Sequence, residues 1–588
     1  MLYNEFFETI QVNSMFEQNT PVTQADKWQA LIANINTDSQ QSVAEQFAKQ
    51  LRKDHYAYDN KKMITDCANW SPHLYTVIDK QTQLAHQIAM FLYPNDEQEN
   101  LGSSTIETVH HKKIRYILYR RLLVNLRRTY RQQTEIKTTP KILTPYQQAR
   151  LTGDREIYHQ LQQSDEIPDA ILNPVPMPVD VAPLPELLPF FDFLQSNQPL
   201  IDHDNESLSF MRGTLFSDGR MDLCKQVVGQ PWITDLMQSL VNNQHIKHFL
   251  LGNNIIDLTG AKAIANFVNN PHQSQIETWY LAGNQIDAQG IKLIAKAFRK
   301  DQHCKGLWLK RNPIKVKGAK YLGRLLEHND CLEILDLHNT GLLDDGVAYL
   351  FDGLKQNHSL DLLYLDANGI SSNGAKHIAD YFSHLVKFKQ QGISSLFCGI
   401  NRLGDEGVAM IAESLHDYHH LKRISLSANR LGYQGLKCLL EGLINHPNLI
   451  HLDVGLYKST SDLHELPNNL GDESVPLLAD FIQANNNVQI MDIKDTNISL
   501  NGLEQLAEAI QTNDHLLMFN YEQLGVKKPK SLIQKFNAKL AENIQNAYGV
   551  DMHTFRQKHL RYLKHTDAVR NIDSIYRNKG SCCTVNHD

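Results

Sequence analysis

Four large aromatic residues, Tyr280, Trp308, Tyr364 and Phe397, recur along the middle of the chain at spacings of 28, 56 and 33 residues. Charged groups fall between and after them: Lys310, Arg311, Asp336, His338, Asp366, Asp453 and Asp492, with Tyr457 beside them. The chemistry these types suit is recognition. Tyr, Trp and Arg dominate the energetics of protein interfaces, where a buried anchor is worth about 2 kcal/mol or more. Acids set beside Lys310 and Arg311 select a partner by charge. Motifs for catalysis are missing: there is no GxxxxGK[ST] phosphate loop, no HExxH, no GxSxG and no Cys/His pairing at zinc spacing. HDYHH (416–420) has metal-like content but ends a helical stretch beside a turn, where a solvated corner is the better reading. No cofactor and no metal are expected, and the twelve residues named first are the candidate partner-binding set.

The elements that position these residues are repeats. HIKHFLLGNNI, QIETWYLAGNQI, LEILDLHNTGL, LDLLYLDANGI, ISSLFCGINRL and LKRISLSANRL share the pattern LxxLxLxxNxL, each followed by a polar turn and a helical stretch such as GAKAIANFV. The Asn-type position falls at Gln226, Asn254, Asn284, Asn312, Thr340, Asn368, Asn401, Asn429, Asn468, Thr496 and Leu524. Alternate apolar residues of a short strand point inward, the Asn amide satisfies backbone groups where the chain turns, and a helix of period 3.6 covers the other side. One unit cannot bury its own face, so the copies must stack.

This pattern resembles the leucine-rich-repeat family over roughly 220–526. The 28-residue unit with a full helix is similar to the ribonuclease-inhibitor subclass, shared with NOD-like receptors and Ran GTPase-activating proteins. The resemblance implies an α/β fold: a right-handed solenoid with a parallel β concave face and a helical convex face. It implies no activity, because the nucleotide-binding loop is missing and no motif carries GTPase activation. In LxxLxLxxN the residue between the second and third apolar positions faces the concave side. That column runs Asp222, Leu250, Tyr280, Trp308, Asp336, Tyr364, Phe397, Ser425, Asp453, Asp492 and Asn520, and the next outward column contains Lys310, His338 and Asp366. Two arrangements satisfy stacked aromatics in such a column: a partner buries them, or a terminal segment of the chain folds back over them. The partner surface is the expectation.

Three intervals depart from 28 residues. The 30-residue interval to Asn284 is absorbed by NNPHQSQ, and the 33-residue interval to Asn401 by SHLVKFKQQG, between helix and strand. The 39-residue interval to Asn468 carries GLYKSTSDLHELP (455–467) at a strand's C-terminal end, which predicts a loop projecting from the concave rim.

The flanks differ in character. Residues 1–135 read as a helical N-terminal domain, whose basic stretch at 110–132 suits a core helix with a solvated basic face better than contact with an anionic membrane. Proline-rich 136–205 reads as a linker, 206–526 as the solenoid, and 527–588 as a helical C-terminal cap with a flexible tail. With 588 residues and a net charge of −7, the chain has ample core material and no basic excess for nucleic acid. Eight scattered cysteines and an acidic, polar N-terminus predict reduced thiols in the cytoplasm. The resulting expectation is a protein-interaction scaffold. Its architecture also resembles effectors that intracellular bacteria deliver into host cytosol; an enzyme seated in residues 1–135, with repeats selecting its substrate, is the alternative.

Overall fold

The computed structural model describes residues 166–175, 181–199, 207–270, 276–457, 463–523 and 525–576, together with Glu156, Gln160 and Leu161. The N-terminal domain expected at 1–135, its basic stretch included, lies outside these residues.

The described strands form one thirteen-stranded sheet in sequential order. Three short strands, β1 (Ser207–Ser209), β2 (Thr214–Phe216) and β3 (Arg220–Asp222), open it as an antiparallel meander. From β3 onward every pairing is parallel. These strands are β4 (His248–Leu250), β5 (Thr278–Tyr280), β6 (Gly306–Trp308), β7 (Ile334–Asp336), β8 (Leu362–Tyr364), β9 (Ser395–Phe397), β10 (Arg423–Ser425), β11 (His451–Asp453), β12 (Ile490–Asp492) and β13 (Met518–Asn520). Their register is constant: Trp279 pairs with Leu307, Leu307 with Leu335, and so on to Phe519. Equivalent residues of successive units therefore lie side by side.

Among the described residues, the helices α1 (Asp169–Leu172) and α2 (Leu184–Gln195) stand ahead of the sheet. Each parallel strand is followed by a helix that covers its back: α3 (Gly229–Leu240), α4 (Leu258–Val268), α5 (Ala288–Phe298), α6 (Lys315–Leu326), α7 (Leu343–Leu354), α8 (Ser372–Phe388), α9 (Gly404–Leu415), α10 (Tyr433–Leu443), α11 (Val475–Ala484) and α12 (Leu500–Ile510). Their apolar stripes and the middle strand residues share one continuous core. Gly323 and Gly353 let α6 and α7 touch, since a Cβ on Gly353 would stand 2.0 Å from the Gly323 carbonyl oxygen. The array is an α/β repeat solenoid.

The asparagine column works as a ladder. Asn284 accepts the amides of Asn254 and Ile256 through Oδ1 and donates through Nδ2 to the carbonyls of Leu251 and Leu281. Asn254, Asn368, Asn401 and Asn468 repeat the pattern. At the last unit Gln523 takes the role in place of Leu524, donating to Ile493 O and accepting from Ile498 N. A second buried ladder, absent from the sequence reading, closes the turns between helix and strand. Asn329, Asn357, Asn485, Asn513 and Asn543 each donate to carbonyls of the preceding unit, and the first four accept amides two and three residues on.

Several local expectations are corrected. The stretch read as a linker contains α2, whose Leu187, Phe190, Phe191 and Leu194 cap the N-terminal end of the core. Pro183 precedes it and Pro185 lies in its first turn, where no backbone donor is needed. The surplus before Asn401 lengthens α8 to 17 residues, ended by Lys389 in a left-handed conformation. The described residues of the insertion lie down instead of projecting: Leu456 and Leu463 pack on Ala367, Ile400 and Ala428, with Ile171 of α1 laid against them. Asn339 Nδ2 ties α1 down by donating to Ala170 O.

Removing one Asn amide leaves two buried donors and two acceptors unpaired, each costing about 1–3 kcal/mol. Asn284→Ala and Asn513→Ala should each lower stability by at least roughly 4 kcal/mol in urea unfolding. A loss below about 1 kcal/mol at either site would mean water replaces the ladder. Gly353→Ala should lower the thermal midpoint by several degrees, because neither helix backbone can retreat.

Candidate functional site

Side chains alternate along a strand, so the residues flanking each core position face the concave side. Tyr280 on β5, Trp308 on β6, Tyr364 on β8 and Phe397 on β9 all stand there, as expected. They are not open to solvent: their exposures are 3%, 1%, 4% and 4%. The cover is the chain's own C-terminal segment. After α13 (Lys530–Tyr548), whose Leu532, Phe536 and Leu540 close the end of the core, the chain reverses at left-handed Gly549. It continues through α14 (Met552–Lys558), held at the solenoid's end by Phe555 against Leu517 and Ile544. Then α15 (Leu560–Lys564) and a 3-10 helix, Asp567–Ile572, run back across the face. The expectation of an uncovered partner surface is thus corrected in favour of the second arrangement, cover by a terminal segment.

The seating is specific. Val569, Ile572 and Tyr576 pack into a cluster with Leu250, Tyr280, Trp308, Tyr364 and Phe397. Tyr364 and Phe397 stack at 4.5 Å and 10°. His565 lies over both, its Nδ1 2.9 Å from the Tyr364 hydroxyl. Arg423 on β10 donates to the carbonyls of Leu563, Tyr562 and His565, satisfying the C-terminal end of α15. At the far end Asp222 accepts from the Ser574 hydroxyl and the Ile575 amide, Arg220 donates to Asp573 O, and Thr214 and Tyr576 hydroxyls lie 2.7 Å apart. The segment is also stapled to itself: Arg561 grips both carboxylate oxygens of Asp573 at 2.5 and 2.8 Å and donates to Val569 O. Burial of Val569 and Ile572 contributes at most about 1.5–3 kcal/mol each.

The charged candidates fall into two groups. Lys310, Asp336, His338 and Asp366 lie together, with the Tyr457 ring 6.0 Å from that of His338. Burial pushes the carboxyls of Asp336 and Asp366 up to about 6, against the pull of Lys310. His338 is held neutral by burial, reinforced by Lys310 and Arg311; neither ring nitrogen is hydrogen-bonded, and Nδ1 lies 3.8 Å from Asp366 Oδ2. Arg311 stands on the ascending rim, its amide donating to His338 O. Among the described residues no three His, Cys, Asp or Glu side chains are placed to hold a metal ion. The second group is Asp453 and Asp492, in register on β11 and β12. Burial and the charge of Asp492 raise the Asp453 carboxyl to about 7. Burial raises Asp492 too, and the field of Lys564 opposes it. Ser425 and Asn520 donate to the two acids.

The sequence reading missed Arg423, Arg220 and Asp222 as contact residues. Two of them occupy the first strand position, which alternation turns toward the same face as Tyr280 and Trp308; that column was left out. In HDYHH, Tyr418 is a core residue whose hydroxyl bridges Gly392 N and Ile393 O, and His416 pairs with Asp417.

A family model described as a domain of unknown function (DUF2828) matches residues 16–141, and a leucine-rich-repeat model matches 419–440. No curated protein matches. Among solved structures, similarity extends to actin-binding site 2 of leiomodin-1 (14% identity, 31% of this chain and 94% of that one, TM-score 0.24). The tropomodulin C-terminal domain of Caenorhabditis elegans is similar at 15% identity, over 26% of this chain and 88% of that one, TM-score 0.21. An internalin (inlF) of Listeria monocytogenes is similar at 13% identity, over 64% and 96%, TM-score 0.32. With the in-register parallel strands, the Asn ladder and the matched repeat, the array is a leucine-rich-repeat solenoid.

Proposed function

We propose that this chain is a non-catalytic scaffold that binds a protein partner on its concave face, and that residues 559–576 occupy the face in the partner's absence. The observation that carries this reading is that the face already holds a polypeptide by its backbone. Arg423 takes three carbonyls and Asp222 an amide, contacts that any chain of suitable path could replace. Aromatic anchors and buried charge beside those contacts supply affinity and selection. A 28-residue unit carrying a helix of 11 or 12 residues supports the ribonuclease-inhibitor-like subclass.

Full-length chain carrying Val569→Asp and Ile572→Asp, which drives carboxylates into the apolar cluster, should retain partners in affinity capture that the wild type does not. Adding Tyr364→Ala and Phe397→Ala should remove them. Equal recovery by all three chains would sink the reading.

The buried carboxyls of Asp336 and Asp366 also set a pH dependence. A carboxyl raised in the folded state binds a proton the unfolded chain has released, so its favourable contribution is complete below the ordinary carboxylate range and is lost as pH rises through 6. Buried neutral His338 contributes the opposite slope. That slope cancels when wild type is compared with Asp336→Asn/Asp366→Asn. Relative to that variant, the wild type should gain about 2 kcal/mol in chemical denaturation between about pH 7.5 and pH 5. A wild-type advantage that does not change between these pH values would show that the two carboxyls stay open to water in solution.

A further inference from the structure

The contacts across the concave face have a chemical order. At β11 and β12 two acids stand side by side, Asp453 and Asp492, and the partly buried ammonium of Lys564 is the tail cation whose field reaches both. On β8 and β9 the Tyr364–Phe397 stack takes a flat ring, His565. Arg423 between them fixes the end of a helical turn. Over β4 to β6 comes an apolar bed for Val569 and Ile572, and Asp222 at β3 takes an amide and a hydroxyl. Read in tail order, the face selects a cation at the end of a helical turn, a ring beside it, and branched aliphatics five and eight residues after the cation.

Charge makes the order directional. Two acids brought together and withdrawn from water are costly unless a cation lies close, so a segment with an acid or an aliphatic at that point leaves them uncompensated. The acid pair is therefore the discriminating feature, whereas the aromatic bed accepts many apolar groups.

Resting on the scaffold reading above, we infer that the partner presents a short basic-then-aliphatic segment, a helical turn ending in Lys or Arg followed by two branched aliphatics. Residues 559–576 are its intramolecular stand-in. The partner's segment displaces them and places its own cation between Asp453 and Asp492. Tethering favours the stand-in, because a segment joined by a short connection competes at an effective concentration of about millimolar.

The test uses the full chain and a labelled synthetic peptide spanning 559–576, followed by fluorescence anisotropy. Val569→Asp/Ile572→Asp chain should bind the peptide saturably, and wild-type chain about 100-fold more weakly or worse. A peptide carrying Lys564→Glu should bind the released chain at least roughly tenfold more weakly, and Asp453→Lys in the released chain should restore it. Should the double aspartate variant lose its cooperative melt, Arg561→Ala/Tyr576→Ala, which removes the tail's staple and one anchor, takes its place. Equal binding of the wild-type and Lys564→Glu peptides by a folded, released chain would overturn the inference. So would equal peptide binding by wild-type and released chains. Failure of the scaffold reading is separately visible, since there capture is indifferent to Tyr364→Ala and Phe397→Ala whatever the peptide does.

Discussion

A parallel strand of three residues joined to its helix by a buried turn leaves backbone amides and carbonyls pointing into the interior in every unit. The two buried amide ladders answer this constraint at both ends of each unit. Each amide bonds to its own unit and to the one before it, so satisfaction of one turn requires that the neighbour be in place. Constant register follows, and with it the alignment of equivalent side chains across the sheet. The concave columns exist because the ladders leave no freedom to slip.

The leucine spacing and the Asn column made the strands, the helices and the concave columns legible, because each reflects a period enforced in every unit. Gln523 escaped because a longer side chain, one position early, reaches the same carbonyl. The second ladder was written in the chain as Asn two or three residues ahead of an apolar strand entry, as in NDCL and NHSL, and passes for ordinary turn polarity. Helix α2 was hidden by its prolines, which dominate a composition reading: Pro185 sits in the first turn, where no backbone donor is needed, and Pro189 one turn further in. The rim insertion was located correctly, but its packing was not visible: Leu456 and Leu463 meet α1, almost 300 residues away, and no local pattern encodes that meeting.

The candidate site was legible in one sense only. Which residues face the concave side follows from alternation, and Tyr280, Trp308, Tyr364 and Phe397 are there. What covers them does not. Val569, Ile572 and Tyr576 make a short apolar stripe in a basic terminal segment, and its destination depends on a reversal at Gly549 and on the length of chain behind it. Burial then changes the meaning of the charged positions: Asp336, Asp366 and Asp453 become weak acids, and His338 a neutral ring, through loss of water more than through any partner.

The bidentate Arg561–Asp573 pair has both partners inside the tail, so the tail's shape is defended by contacts that do not involve the sheet. Leaving the face therefore need not mean melting. A segment that departs as a preformed body re-enters without the entropy of refolding, and its residence is governed by an off-rate set by a few side chains. Under the proposed displacement, occupancy of the groove becomes a matter of timing between the tail and the partner's segment.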